Sequence, residues 1–268
     1  MSTSSIQLAP RHTLSRFVQG LRIVTRGAGA DPYVKLPDGQ VDLIVRIRDT
    51  GSEVHTMGTR LRVFRKLAEE VPQAIAVRFK PGRAYPFFGV PMSELTNRIL
   101  PIETLWGADG AQLCERVAET SDNTERLRLL EDALSERLCR GDVFEPASAY
   151  VVRRAIRAIT DAVELPRVSV LARGLGVSER QLRRAFDEVV GVGPKEFVRV
   201  VRFQRALRAS ARVATPDWGA IAAAVGYYDQ AHLITEFRGL TGVTPGALLR
   251  ARLHQAPVMD GALIASSP

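Results

Sequence analysis

The chain has 268 residues, 46% of them hydrophobic and 25% charged, with a formal net charge of +8 and two cysteines. That composition excludes a disordered or disulfide-stapled chain and suffices for about two domains. No run of about eighteen apolar residues occurs, and the start, MSTSSIQLAPRHTLSRF, lacks the apolar middle of a signal peptide, so a cytoplasmic protein without a membrane partner is expected.

The first hundred residues read as strands separated by turns. VDLIVRIR (41–48) follows the turn signal LPDGQ, and IAVRFKPG (75–82) alternates and then breaks at Pro81-Gly82. From about Ser93 the pattern turns helical: SELTNRIL, then ETLWGADGAQLCERVAE, then TERLRLLEDALSERLCR, with Asp122 or Thr124 as cap of the last. Its Leu127, Leu130, Leu134 and Leu138 suit an intramolecular core or a dimer seam. Tyr85, Phe87 and Phe88 fit core packing better than a ligand pocket. His12 and His55 are the only histidines before residue 200, and Cys114 and Cys139 lie in helical patterns without C-x-x-C spacing, so neither metal nor cofactor is expected. GDVFEPASA (141–149), rich in Gly, Pro and Ser, reads as a linker.

Beyond the linker everything reads as helix, beginning with YVVRRAIRAITDAV. Residues 151–255 hold 17 Lys+Arg against 9 Asp+Glu, and all but Lys195 of the cations are arginine. Guanidinium forks match phosphate oxygens and guanine edges, although a solvated basic face would have the same composition.

Two stretches repeat, LARGLGVSERQLRRAFDEVVGVGP and IAAAVGYYDQAHLITEFRGLTGVTP. At an offset of 51, Ser178 meets Asp229, Leu182 meets Leu233, Phe186 meets Phe237, Gly191 meets Gly242, Val192 meets Val243 and Pro194 meets Pro245. Each copy is a small-residue helix, a glycine stop, a capping residue and a second helix whose Leu and Phe share one face: a helix-turn-helix. With those apolar residues inside, the first copy presents Arg180, Gln181, Arg183 and Arg184, and the second presents Gln230, Ala231, His232 and Thr235. These side chains suit base edges in a major groove. Ser178, Lys195, Arg202, Tyr228 and Thr244 are the candidates for backbone contacts.

Between the copies PKEFVRVVRFQRALRAS reads as one helix of about 25 Å, with Arg199, Arg202, Arg205 and Arg208 at every third position. Such a strut would hold two reading helices about one DNA turn apart, roughly 34 Å.

Residues 151–252 resemble the DNA-binding domain of the AraC/XylS family of bacterial transcription regulators. The pattern of that family's second unit stands here as Ile221-Ala222, Gly226-Tyr227, Asp229-Gln230-Ala231-His232-Leu233, Phe237-Arg238, Gly242 and Thr244-Pro245. The resemblance implies a seven-helix domain on an asymmetric site, with bases contacted by Arg180, Arg183, Arg184, Gln230, Ala231 and His232. Thr235 stands where the family usually has arginine, and Ala231 where serine is common. More loosely, LPDGQVDLIV (36–45) and VRFKPGRAYPFFGVPMSEL (77–95) are similar to the sensor half of one AraC-type subgroup, which implies a β-rich, cupin-like domain.

The expected class is α+β: an N-terminal β-rich cupin-like sensor domain with following helices (1–140), a linker (141–149), an all-α domain of seven helices with two helix-turn-helix units (150–254) and a flexible tail (255–268). The expected partner is double-stranded DNA. A small effector or protein at the N-terminal half, RNA polymerase and a second copy of the chain stay open. The competing readings are a co-regulator that binds DNA weakly and without sequence preference, and an enzyme with a DNA-docking appendage; the second lacks a nucleophile or phosphate-loop motif.

Overall fold

The computed structural model describes residues 4–25, 33–49, 51–67, 72–141, 144–213 and 215–253, so the expected tail at 255–268 lies outside them. The N-terminal half is built on a six-stranded antiparallel sheet of β1 (Ser4–Leu8), β2 (Val18–Thr25), β4 (Asp42–Arg48), β5 (Gly51–Met57), β7 (Gln73–Phe79) and β8 (Ile99–Pro101), in the order β1-β2-β7-β4-β5-β8. A two-stranded ribbon pairs β3 (Tyr33–Lys35) with β6 (Phe64–Lys66). Register fixes the faces: Leu43 opposite Val77 and Val45 opposite Ile75 point to one side, Ile44 opposite Ala76 to the other.

The first face packs on four helices, α1 (Tyr85–Phe88), α2 (Glu103–Trp106), α3 (Ala108–Glu119) and α4 (Asn123–Arg140), around Phe79, Phe87, Leu113, Leu130 and Leu134. Phe87 and Phe88 are thus core rather than pocket. Leu127, Leu130 and Leu134 are buried and Leu138 packs against them, so this leucine stripe is an intramolecular core and not a dimer seam. On the second face Ile44, Met57 and Ala76 meet Tyr33 and Phe64 of the ribbon.

Two local expectations need correction. SELTNRIL is not a helix: a single 3-10 turn at Met92–Glu94 ends before Asn97, whose φ of +59° stops helical continuation, and Ile99–Pro101 then pairs with β5. Asp122 alone caps α4, accepting from the backbone N–H groups of Thr124 and Glu125, so Thr124 is already inside the helix.

The C-terminal half has seven helices among the described residues: α5 (Ser148–Asp161), α6 (Val168–Gly174), α7 (Glu179–Val189), α8 (Pro194–Ser210), α9 (Trp218–Val225), α10 (Gln230–Thr241) and α11 (Pro245–Leu253). The α+β class holds. Helix α8 serves two cores. Phe197 meets Phe186 at 5.8 Å between ring centroids, in a core with Leu171, Leu182 and Val152. Phe203 meets Phe237 at 4.8 Å, in a core with Ile221, Leu233 and Leu240.

The N-terminal half docks on this same helix. Gly39 sits at φ +72° so close to Phe197 that a Cβ there would lie 2.9 Å from the ring, and Gln204 of α8 donates to the Pro37 carbonyl. Thr59 and Thr96 donate to the Val190 and Gly191 carbonyls at 2.8 and 2.6 Å, while Val63 N–H donates to Leu240 O at 2.8 Å. Beneath the 36–41 loop lies a buried ionic cluster. Lys35 pairs with Asp42 and, at 3.3 Å, with Asp38; Arg78 reaches Asp42 at 3.1 Å and Asp38 at 3.3 Å. Burial alone would raise the Asp42 carboxyl, but Arg78 and Lys35 outweigh it and hold the group below the ordinary carboxylate range.

Because that pKa is lower folded than unfolded, the stabilisation is present at neutral pH and is lost as pH falls below about 4. Asp42→Asn should therefore flatten the acid limb of stability measured by denaturant titration. Asp42→Ala, which leaves two buried cations to share the single carboxylate of Asp38, should cost about 3–5 kcal/mol at pH 7. An acid limb as steep in Asp42→Asn as in wild type would contradict the cluster's role.

Candidate nucleic-acid interface

Each unit begins its second helix at a side-chain cap that follows a left-handed glycine, Gly176 at φ +70° and Gly226 at φ +84°. Ser178 Oγ accepts from Gln181 N–H at 3.2 Å, and Gln181 Oε1 accepts from Ser178 N–H at 2.8 Å, a reciprocal capping box. In the second unit Asp229 accepts from His232 N–H at 2.7 Å. The caps fix where α7 and α10 start, and the periodicity fixes which way they face. Leu182, Phe186, Leu233 and Phe237 are each 0% exposed.

Opposite them, Arg180, Gln181, Arg183 and Arg184 are all exposed on the front of α7. Among the described residues Arg180 and Arg184 have no ion-pair partner, and Arg183 meets Asp187 only at 3.9 Å with its side chain 77% exposed. Such a pair is worth at most about 1 kcal/mol and yields readily to a phosphate or base. Gln181 spends its carbonyl oxygen on the cap, which leaves its amide hydrogens outward. Lys195 is exposed at the start of α8.

The front of α10 is different. Gln230, Ala231 and Thr235 are exposed, the Thr235 hydroxyl donating to Ala231 O at 2.9 Å, and Tyr228 in the preceding turn is 91% exposed. His232 is half-exposed, with one edge of its ring toward Glu236. Its Nδ1 accepts from Tyr228 N–H at 3.4 Å, which puts the ring hydrogen on Nε2, 3.7 Å from Glu236 Oε1. That same oxygen lies 3.6 Å from Arg199 Nε and 3.5 Å from Arg202 Nη1. Arg202 also lies over the Tyr227 ring at 5.2 Å, and burial together with the Glu236 carboxylate pushes the Tyr227 phenol well above its ordinary range. Thr244 Oγ1 accepts from Ala247 N–H at 3.3 Å, at the start of α11.

Of the four arginines spaced along α8, Arg199 and Arg202 are therefore held by carboxylates, while Arg205 donates to the carbonyls of Ile159, Thr160, Ala162 and Val163 at the end of α5. The sequence reading passed over Glu236. Its spacing of four from His232 was the one local sign of it.

Elsewhere the chemistry is quiet. Burial, with Glu103 adding to it, pushes the Cys114 thiol up to about 12, so it carries no thiolate at neutral pH. The described residues contain no group of three or more His, Cys, Asp or Glu placed to hold a metal. A cavity of about 400 Å³ opens on the second face of the sheet, lined by Arg46, His55, Phe64, Arg65, Lys66, Ile99 and Pro101.

Residues 171–251 match a family model described as a helix-turn-helix domain, and residues 6–101 match one described as a Domain of unknown function (DUF6597). No curated protein sequence matches the chain. Among solved structures, ToxT from Vibrio cholerae aligns at a TM-score of 0.45 and 12% identity, over 96% of this chain and 100% of that one. ToxT from Vibrio cholerae O395 aligns at 0.43 and 12%, over 93% and 96%. Wild-type ToxT bound to unsaturated fatty acid, from Vibrio cholerae strain SCE256, aligns at 0.40 and 12%, over 92% and 94%.

The capping box and the exposed front of α7 bear differently on stability. Ser178→Ala should cost about 1 kcal/mol of folding stability, whereas Arg184→Ala, fully outside, should stay within about 0.5 kcal/mol of wild type in thermal unfolding. An Arg184→Ala variant as destabilised as Ser178→Ala would place that arginine in the structure rather than at its surface.

Proposed function

We propose, from the helix-turn-helix match of residues 171–251 and their resemblance to the AraC/XylS family, that the chain is a sequence-specific transcription regulator whose two units read successive major grooves of one duplex. One observation carries the reading: two similarly capped helices, polar in front and apolar behind, are seated on a single 17-residue helix, α8. In the first unit Arg180, Arg183 and Arg184 suit guanine edges, and Gln181 offers its amide hydrogens. In the second, Gln230 suits adenine, Ala231 a thymine methyl group, and His232 and Thr235 border the same bases. Ser178, Lys195, Tyr228 and Thr244 flank these fronts and serve as backbone contacts, while Arg202 is held away from them by Glu236.

Residues 150–254 act as the DNA-binding domain, residues 1–140 as a regulatory domain that does no chemistry, and residues 141–149 as the linker between them. The cavity lined by Arg46, Arg65 and Lys66 suits a small acidic effector. The contacts of Pro37, Gly39, Thr59, Val63 and Thr96 with α8 and both units supply the route by which such binding reaches the DNA-binding half.

Selection of bound DNA from a random pool with the full chain should return a defined site. On that site Arg184→Ala should cost about 1–3 kcal/mol and relax preference at one position. Equal loss on random DNA, or no enriched site, would favour a co-regulator that binds DNA weakly and without preference.

A further inference from the structure

We propose that Glu236 is a specificity-determining positioning residue: it keeps Arg199 and Arg202 from DNA phosphates and engages the Nε2 edge of His232, so that the second unit meets bases with a nearly uncharged front. This rests on the DNA-reading function above. The carboxylate is 14% exposed in side chain, wedged between α8 and α10, and a single oxygen, Oε1, faces all three cationic or proton-bearing groups at 3.5 to 3.7 Å. A carboxylate so far out of water is tolerable only beside cations, and the arginines supply them from the neighbouring helix. Arg199 is further held by Glu196 at 3.3 Å. Two guanidinium groups thus stand against two carboxylates, and the cluster is balanced.

In the first unit the acid paired with a reading-face arginine, Asp187, is 43% exposed in side chain and lies 3.9 Å from Arg183. At the offset of the repeat the counterpart of Glu236 is Ala185, buried against the core, and the arginines around it point outward. The two units therefore divide the work of binding: the first supplies charge as well as base contacts, whereas the second supplies base contacts with little charge. Removing the Glu236 charge should erase that division. The Arg202 side chain keeps 20% of its surface exposed, so its guanidinium is not sealed from a partner once the Glu236 charge is removed. Arg202 lies over Tyr227, next to the exposed Tyr228 of the turn that enters α10, so its guanidinium stands beside the expected path of the DNA backbone.

The test measures affinity for the selected site and for random duplex across salt concentrations. Each phosphate contact adds about 0.9 to the slope of log affinity against log salt. Glu236→Gln should steepen that slope by about 1, raise random-duplex affinity about 3- to 10-fold near 0.1 M salt, and lower the ratio of selected to random binding. Adding Arg199→Ala and Arg202→Ala in the Glu236→Gln background should return the slope to the wild-type value, which a purely structural role for the carboxylate would not produce. If Glu236→Gln does not fold, Arg202→Ala in the otherwise native chain decides: an unchanged slope supports the proposal, and a slope reduced by about 0.9 shows that phosphate already holds this arginine and overturns it. Normal discrimination by the wild type with an unaltered slope in Glu236→Gln overturns this inference alone. Failure of the wild type to discriminate overturns the DNA-reading function and this inference with it.

Discussion

Helix α8 is the constraint on which the rest of the structure depends. Phe197 and Phe203 lie six residues apart, about one and two-thirds turns, so their rings leave the helix roughly 120° from one another. Each anchors a different helix-turn-helix unit, Phe197 through Phe186 and Phe203 through Phe237. The angle between the two units is therefore set by the rotation of one rigid element and not by a loop. The N-terminal half seats Gly39 and Pro37 on the same helix, where Gln204 and Phe197 receive them. A shift of the 36–41 loop would press directly on the element that seats both helix-turn-helix units.

Buried ion pairs anchor that loop. Four charged side chains, Lys35, Asp38, Asp42 and Arg78, are buried together beneath it, each 7% exposed or less, and each neutralises an otherwise expensive neighbour. Such a cluster has few alternative arrangements, because moving one member strands the others. It favours a definite loop position over a merely adhesive one. The same logic operates on a smaller scale at Glu236, where one carboxylate fixes the directions of two arginines and a histidine. In both places an internal ion assembly ties together side chains from different elements.

How much of this was legible in the sequence follows from the range of the interactions. The helix-turn-helix units were readable because their determinants are local: a glycine, a cap two or three residues later, and a Leu-Phe pair four apart, with caps and pairs repeated at one offset. Helix α8 was readable to the residue, Pro194–Ser210, since proline marks its start and no breaker interrupts it. SELTNRIL was misread because its composition suits a helix while the left-handed Asn97 and the pairing of Ile99–Pro101 with β5 are decided elsewhere in the chain. LPDGQVD looks like an exposed turn; that Asp38 and Asp42 are buried depends on Arg78, on a strand reached only through tertiary pairing. Glu236 escaped for the same reason, with Arg199 and Arg202 supplied by a different helix.

The most direct test of the account is hydroxyl-radical footprinting of the full chain on its selected DNA site. Two protected segments about one helical turn apart on the same face of the duplex are expected from two units seated on one rigid helix. A single protected segment, or two whose separation varies from site to site, would show that α8 does not set the spacing.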